Sequence, residues 1–419
     1  MTTVPVVELS LPENGPTAAP GVVSEHMPAA HSVSVGVWVG IGGRDEAPEV
    51  AGTSHFLEHL LFKGTEERSA RSIAELVDAT GGEMNAFTAK EYTAYYARVP
   101  AGEGTSGQDL AVSLLADVLR EPALRADDVE TERQVILEEI HLAADDPDDV
   151  VFELLYEALF PSHPLGREVL GSEASVASLG RDDIAAFHDH WYRAPNLVVA
   201  AAGAVDHGRL VEHVHEAFAG RDGGEVPVRS APDAPPVSAR RVVRPTEASH
   251  LAWGWRGVNR SDPRRHALAI GVHVLGGGLS SRLFQTVRED RGLAYSVFAS
   301  MAVYHDAGVV SVYAGTAPER SGELQRVVAD EVAAVAAQGI TSEELEIARA
   351  GFEGSILMGL EGSGSRMSRL GTSQSLLGRV VPLEEYVDIL RSVTLDEVNV
   401  VLADVLSPES VVAQVGPAA

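Results

Sequence analysis

Residues 178–203 read SLGRDDIAAFHDHWYRAPNLVVAAAG, and residues 392–417 read SVTLDEVNVVLADVLSPESVVAQVGP. Each stretch begins with the spacing of an amphipathic helix and ends in an apolar run that is typical of a buried strand. An acidic residue stands in step in both, Asp183 in the first and Glu397 in the second. A repeat of about 200 residues is too long for a solenoid of small units. The two stretches therefore indicate that one domain is duplicated.

The elements before these stretches follow a similar order in both halves: a strand, helix, strand pair and two long helices. In the first half the predicted segments are strand 32–42, helices 53–62 and 72–80, strands within 85–99, helices 107–120, 127–144 and 181–192, and strand 197–204. In the second half they are strand 249–258, helix 264–274, strands within 295–315, and helices 321–338 and 342–360. The predicted fold class is α+β.

A stretch rich in glycine, proline and small polar residues separates the halves. It reads GGEVPVRSAPDAPP and begins at Gly223, and such a composition is typical of a linker. The predicted domains are 1–222 and 239–419, joined by the linker 223–238.

Charge and cysteine content exclude several classes of function. The 419 residues include 32 basic and 61 acidic side chains, and the formal net charge is −29. Nucleic-acid binding needs clustered lysine and arginine, so this charge argues against a nucleic-acid partner. Cysteine is absent, which excludes disulfides, thiolate zinc sites, iron–sulfur clusters and a cysteine nucleophile. Any metal must therefore bind to histidine and carboxylate ligands.

The sequence predicts no membrane partner. No apolar run approaches the ~20 residues that span a bilayer. Residues 1–20 lack the basic and apolar regions of a secretory signal. We therefore expect a cytoplasmic protein.

The sharpest motif is HFLEH, residues 55–59. Residues three and four positions apart share a helix face, so His55, Glu58 and His59 lie together. Two imidazoles at this spacing can bind one zinc ion, and the carboxylate can polarise a water. A chance match would usually lie on a solvated helix face. The rest of this helix is apolar, however, and burying three ionisable groups without a partner is costly. The pattern favours a shared metal ion.

A third protein ligand is needed, because a catalytic zinc usually has three and keeps one position open. The helical stretch ETERQVILEEIH, residues 130–141, offers Glu138, Glu139 and His141. Spacing does not choose among these three. Glu132 and Glu139 are seven residues apart, so they share a face two turns apart. Without the first motif, the stretch would read equally well as a solvated acidic helix.

HFLEH followed about eighty residues later by ETERQVILEE resembles the motifs of the pitrilysin family of zinc peptidases, the M16 inverzincins. The pair is most similar to the branch that holds the mitochondrial processing peptidase and bacterial peptidases of comparable length. The resemblance implies one zinc ion on His55, His59 and Glu139, a general base at Glu58 and a supporting carboxylate at Glu132. It also implies two homologous LuxS/mitochondrial-processing-peptidase-like domains, each an antiparallel-rich sheet with helices on one side.

The resemblance extends to residues that would hold a peptide. GGEMNAFT is similar to the family segment in which an edge strand pairs with the substrate main chain, and implies that Asn85 and Ala86 flank the scissile bond. From its residues alone, this segment would be an ordinary turn into a strand. VREDRGLAY is similar to the segment whose arginine and tyrosine grip substrate carbonyls, and implies these roles for Arg288 and Tyr295. A lone arginine and tyrosine would more often be a surface pair.

The predicted activity is that of a zinc-dependent endopeptidase that hydrolyses short or unfolded peptides inside a closed chamber, with Glu58 as general base. In single-chain relatives of four domains, the arginine–tyrosine pair belongs to the last domain and the zinc to the first. This implies a homodimer with composite sites, in which Arg288 and Tyr295 serve the partner's zinc. Two alternatives stay open: a non-catalytic chamber or scaffold subunit, and a subunit of an obligate hetero-oligomeric processing peptidase.

Overall fold

The computed structural model describes residues 7–11, 19–221, 223–237 and 239–418. Parts of the amino-terminal stretch 1–20, and residues 222 and 238 at the predicted domain borders, lie outside these ranges.

The chain forms two compact units. Unit 1 takes residues up to Ile140, Glu168–Val228 and Leu357–Pro382, and unit 2 takes His141–Arg167, Arg229–Ile356 and the residues from Leu383 onward. Each unit thus includes one segment from the other half of the chain. The domains predicted from the sequence, 1–222 and 239–419, are by contrast contiguous. They describe the two halves of the sequence and stay a prediction.

Groups of strands and groups of helices follow one another along the first half. They are β1 (Val7–Ser10), β2 (Gly21–His26), β3 (Ser32–Val39), α1 (Thr53–Leu61), α2 (Ala70–Asp78), β4 (Glu83–Thr88), β5 (Thr93–Pro100), α3 (Ser106–Arg120), α4 (Ala126–Asp145), α5 (Pro147–Leu159), α6 (Glu173–Ser178), α7 (Arg181–Trp191), β6 (Leu197–Gly203) and α8 (His207–Ala217).

The second half is built in a similar way. Its elements are β7 (Ala239–Val243), β8 (Ser249–Gly257), α9 (Arg265–Gly276), a π-helix (Phe284–Asp290), β9 (Ala294–Val303), β10 (Gly308–Thr316), α10 (Ser321–Gln338), α11 (Ser342–Gly359), α12 (Ser363–Leu377), α13 (Leu383–Ser392), α14 (Leu395–Leu406) and β11 (Val411–Gly416).

Apart from the additional strand β1 in unit 1, the two sheets share one topology, which confirms the predicted α+β fold with two related domains. The unit 1 sheet has the order β1-β2-β6-β3-β5-β4, and the unit 2 sheet has the order β7-β11-β8-β10-β9. In each, one parallel pair, β2 with β6 or β7 with β11, accompanies antiparallel neighbours. The two quoted stretches begin α7 and α14 alike, because the Asp183 and Glu397 carboxylates accept from the backbone N–H of Gly180 and Thr394.

β3 shows how alternation builds two faces of the unit 1 sheet. Its valines at positions 33, 35, 37 and 39 lie in the main core with residues of α1 and α3. Trp38, on the opposite face, packs with Met367 and Leu370 of α12. Gly36 lies on that face too, and a Cβ there would come within 2.6 Å of the Trp38 ring. The small residue therefore leaves room for the indole.

One helix from the other half of the chain packs on each sheet. α12 contacts β2, β3 and β6 of unit 1, and α5 contacts β7, β8 and β11 of unit 2. Leu155 and Leu159 of α5 approach so closely to β8 that a Cβ at Gly254 would lie 2.9 Å from each side chain. The prediction of helices on one side is therefore incomplete. In unit 1 it describes α1, α3 and α8, whereas α12 covers the second face because its apolar residues meet Trp38.

Within the described ranges, no helix combines the length and the apolar composition that a membrane crossing requires.

Candidate metal centre

α1 packs into the buried core, and a carboxylate caps its amino end. Four of its apolar side chains, Phe56, Leu57, Leu60 and Leu61, are buried. The helix has no side-chain cap of its own. Glu46 replaces it, because its two carboxylate oxygens accept from the backbone N–H of Gly52 and Ser54, both at 2.6 Å. A carboxylate at a helix amino terminus also interacts favourably with the helix dipole.

α4 brings a third ligand group to the two histidines of α1. Glu139 Oε2 lies 3.6 Å from His55 Nε2 and 3.5 Å from His59 Nε2. Ligand atoms of a tetrahedral zinc ion, with bonds of ~2.0–2.2 Å, are about 3.3 Å apart. In the part of the chain that the structure describes, these residues form the one group of three or more histidine or carboxylate side chains suited to a metal ion. The donor set and its spacing fit zinc.

The other two ligand candidates of α4 are exposed. Glu138 and His141 both lie on the solvent side of the helix, whereas Glu139 is partly buried. Neither belongs to the group formed by His55, His59 and Glu139. Of the three candidates, Glu139 is therefore the one that α4 brings next to both histidines of α1.

Glu132 supports His59 from the far side of the imidazole ring. The Nδ1 of His59 lies 3.0 Å from Glu132 Oε2, and a carboxylate at this distance accepts the Nδ1 proton. The Nε2 lone pair is then free to bind a metal, the arrangement usual for metal-binding histidines. The second oxygen of Glu132, Oε1, lies 2.6 Å from Lys63 Nζ.

Burial keeps His55 in the form that binds metal. Desolvation, with a smaller contribution from neighbouring His59, lowers the pKa of His55 to about 4. The ring is therefore neutral at pH 7. Its Nδ1 is buried and has no hydrogen-bond partner among the described residues.

Glu58 stands on the same face of α1 with one oxygen already engaged. The Thr88 hydroxyl donates to Glu58 Oε2 at 2.6 Å. Burial raises the pKa of Glu58, and the hydrogen bond from Thr88 opposes the shift. Thr88 thus holds the carboxylate of Glu58 in place at the end of β4.

Asn85 and Ala86 lie on β4, the edge strand of the unit 1 sheet. Asn85 is exposed and Ala86 is buried. The Ala86 N–H donates to Asn85 Oδ1 at 2.8 Å. Thr88, which contacts Glu58, ends the same strand. The strand thus connects the predicted peptide-binding residues to the predicted base.

Arg288 and Tyr295 are neighbours in unit 2. Arg288 lies on the π-helix, and its guanidinium is 4.8 Å from the centre of the Phe284 ring and 5.1 Å from that of Tyr295. Tyr295 is 86% exposed. The arginine is therefore sandwiched between two aromatic rings, one of which faces solvent.

Comparison with known proteins identifies the family. Residues 21–173 match the family model described as insulinase (peptidase family M16), and residues 178–352 match the model described as the peptidase M16 inactive domain. The chain is 47% identical over 409 residues to a protein of Mycobacterium tuberculosis named an uncharacterized zinc protease, covering 96% of this chain and 92% of the relative. The chain belongs to peptidase family M16. The resemblance drawn from HFLEH and ETERQVILEE is thereby confirmed.

Further M16 relatives lie outside mycobacteria. A protein of Bacillus subtilis named uncharacterized zinc protease YmxG is 36% identical over 399 residues, covering 94% of this chain and 96% of the relative. A crystal structure described as a peptidase M16 inactive domain, from Pseudomonas fluorescens, superposes with a TM-score of 0.91 at 21% identity, covering 99% of this chain and 98% of the other. A protease from Helicobacter pylori gives a TM-score of 0.89 at 21% identity, covering 99% and 100%. These structures show that the M16 fold is shared.

Three residues that contact the helices of the M16 motif were not predicted from the sequence: Lys63, Thr88 and Glu46. Lys63 had a usable signal, since it follows His59 by four positions and so continues the face of His55 and His59. Thr88 and Glu46 had none, because no local spacing reveals which strand face or which loop packs against α1.

Proposed function

We propose that this chain is a zinc metalloendopeptidase that hydrolyses short or unfolded peptides. The observation that carries the proposal is the convergence of His55 Nε2, His59 Nε2 and Glu139 Oε2 beside Glu58. The names of its relatives, which include the term zinc protease, support the same chemistry.

His55, His59 and Glu139 would hold the ion, and Glu58 would move the proton. A bound zinc supplies Lewis acidity, which lowers the pKa of a water molecule and polarises a peptide carbonyl. Glu58 accepts the proton of the attacking water on its carboxylate, which the Thr88 hydroxyl orients. It then gives this proton to the leaving amine.

The substrate main chain would add to β4 as a further strand. β4 pairs only with β5 among the described strands, so its other edge can accept main-chain hydrogen bonds. Asn85 and Ala86 would then lie beside the scissile bond. This mode of binding requires an extended peptide, so we propose that the substrates are short or unfolded chains. We also propose that cleavage takes place inside a closed chamber.

Metal analysis combined with cleavage of a quenched peptide tests the mechanism. We expect Glu58→Gln to keep its zinc and to lower kcat about 10²–10⁴-fold, the range for loss of a general base. The matched control is Glu138→Gln, which removes an exposed carboxylate outside the ligand group. It should keep both zinc and turnover. Equal turnover of wild type and Glu58→Gln would refute the mechanism.

We further propose a homodimer in which Arg288 and Tyr295 complete the partner's zinc site. Mixing Glu58→Gln chains with Arg288→Ala chains recreates one intact site in each mixed dimer. Random exchange should then restore about one quarter of wild-type activity. Mixing Glu58→Gln with Glu139→Gln should restore none, because neither chain then has an intact zinc site. No recovery in verified mixed dimers of the first pair would exclude sites completed in trans.

A further inference from the structure

Lys63 links the end of α1 to the middle of α4. It lies just beyond α1, where its backbone N–H donates to Leu60 O at 3.0 Å. Its Nζ lies 2.6 Å from Glu132 Oε1. The carboxylate of Glu132 is only 5% exposed, whereas the Lys63 side chain is 39% exposed. A lysine thus reaches inward from the surface to a buried acid.

The two oxygens of Glu132 are divided between Lys63 and His59. Oε1 faces the Lys63 ammonium, and Oε2 faces His59 Nδ1 at 3.0 Å. Because one oxygen is held by the lysine, the carboxylate cannot rotate freely about its last bond. Its remaining oxygen is aimed at Nδ1, which turns Nε2 of the same ring towards Glu139, 3.5 Å away.

The same contact fixes α4 along its length against α1. Glu139 follows Glu132 by two helical turns, or about 10 Å. Arg125, at the start of α4, adds a second tie, since its guanidinium donates to Lys63 O at 3.4 Å and to Thr65 O at 3.1 Å. A shift of α4 by one turn would move Glu139 about 5 Å from the histidines. The contact between Lys63 and Glu132 holds the register that prevents this.

We propose that Lys63 is a positioning residue of the metal centre. Through Glu132 it fixes the tautomer and the direction of His59, and it holds Glu139 opposite the two histidines. This role rests on the zinc site proposed above, but it concerns affinity for the ion and not the chemical step.

Zinc affinity, measured by competition with a chromogenic chelator, tests the role. We expect Lys63→Met to bind zinc more weakly than wild type, by up to the 10–100-fold that loss of a ligand's own hydrogen-bond partner, here Glu132, causes. Coulomb repulsion alone predicts the opposite change in zinc affinity, because removing a positive charge beside the site should strengthen cation binding. The matched control is Arg71→Met, which removes one cation from an exposed pair with Glu75 on α2. It should bind zinc as wild type does.

A double-mutant cycle separates action through Glu132 from a general effect. Lys63→Met added to Glu132→Gln should weaken zinc binding little beyond Glu132→Gln alone, because both changes break one chain of contacts. Additive losses would show that Lys63 acts by another route. Equal affinity of wild type and Lys63→Met, or tighter binding by the variant, would overturn the proposal.

Histidine ¹⁵N spectra of the metal-free protein give a readout that is independent of zinc. His59, assigned by its absence in His59→Gln, should carry its proton on Nδ1 in wild type and lose this preference in Lys63→Met. Lys63→Ala, which also removes the ammonium that holds Oε1, serves if Lys63→Met does not fold, and the same loss is expected. An unchanged Nδ1–H signal would overturn the proposal. Absence of zinc binding by wild type would instead refute the proposed function.

Discussion

Thr88 holds the carboxylate of Glu58 in position. The hydroxyl donates to Oε2 and so orients the carboxylate of the proposed base. Since α1 and β4 are separate elements, this hydrogen bond also joins the predicted base to the strand that would hold the peptide.

Thr88→Val removes that hydroxyl and keeps the shape of the side chain. A hydrogen bond to a charged group contributes about 1.5–3 kcal/mol, so kcat/KM should fall roughly 10–100-fold with zinc content unchanged. Steady-state kinetics and metal analysis measure the two effects. Thr80→Val is the control, because the Thr80 hydroxyl donates to Val77 O at the end of α2. Wild-type kcat/KM in Thr88→Val would contradict the assigned role.

His188 is a buried neutral histidine in the unit 1 core. Its Nε2 lies 2.8 Å from Leu119 O, and the ring is 4% exposed. Desolvation is the main cause that lowers its pKa from 6.5 to about 4. The unfolded chain therefore takes up a proton at a higher pH than the folded chain does. Stability from this group is complete above pH 6.5 and is lost as the pH falls towards 4.

Urea unfolding between pH 7.5 and pH 4 tests this linkage. The stabilisation lost through His188 amounts to about 3 kcal/mol over the full window. His188→Gln should be less stable at pH 7.5 but should show a flatter decline with acid. His190→Gln, on the exposed side of α7, should decline as wild type does. A wild-type slope in His188→Gln would assign the acid sensitivity to other groups.

The helix α12 packs directly against the indole ring of Trp38. A Cβ at Gly371 would lie 2.2 Å from the indole ring. Because Gly371 has no side chain, the backbone of α12 can lie directly on the indole ring.

The same substitution in two helices should have opposite effects. Gly371→Ala forces α12 away from Trp38, and overpacking of this kind costs about 1–3 kcal/mol. Gly354→Ala in α11 meets no atom within 4 Å, so the better helix former should add up to about 1 kcal/mol. The urea midpoints of both variants, compared with that of wild type, measure these changes in stability. Equal midpoints for Gly371→Ala and wild type would show that α12 is not tightly packed.

Local spacing predicts elements better than it predicts their partners. Alternation in β3 and the i, i+3, i+4 pattern of α1 were sufficient to predict both elements and the His55–Glu58–His59 face. Met367 and Leu370 lie on α12, a helix outside the predicted segments. They carry no information about which sheet they cover, because any apolar surface would satisfy them. The packing of α12 on unit 1 was therefore beyond the sequence, as was the contact between Thr88 and Glu58.

At the scale of the whole molecule, the net charge of −29 should bias the choice of substrate. An acidic protein raises the local concentration of cationic peptides through its field. At ~0.01 M ionic strength this field extends about 30 Å, and at 1 M only about 3 Å. The effect should therefore depend on salt.

Matched basic and acidic peptides, identical around the scissile bond, measure this bias. We expect kcat/KM to favour the basic peptide at low salt, and the ratio to approach one at 1 M salt. A neutral peptide of the same length corrects for effects of salt on the enzyme itself. Equal cleavage of both peptides at low salt would remove net charge as a determinant of substrate choice.

The origin of α12 in the second half of the chain affects how the protein folds during synthesis. The unit 1 strands are complete once Gly203 has been made, but α12 ends only at Leu377. At ~5–20 residues per second, translation leaves the Trp38 face uncovered for roughly ten to thirty seconds. α5 has the reverse timing, since it emerges before any strand of its own sheet. A nascent chain therefore presents an apolar sheet and an unpaired helix together, and both are targets for chaperones until translation is nearly finished.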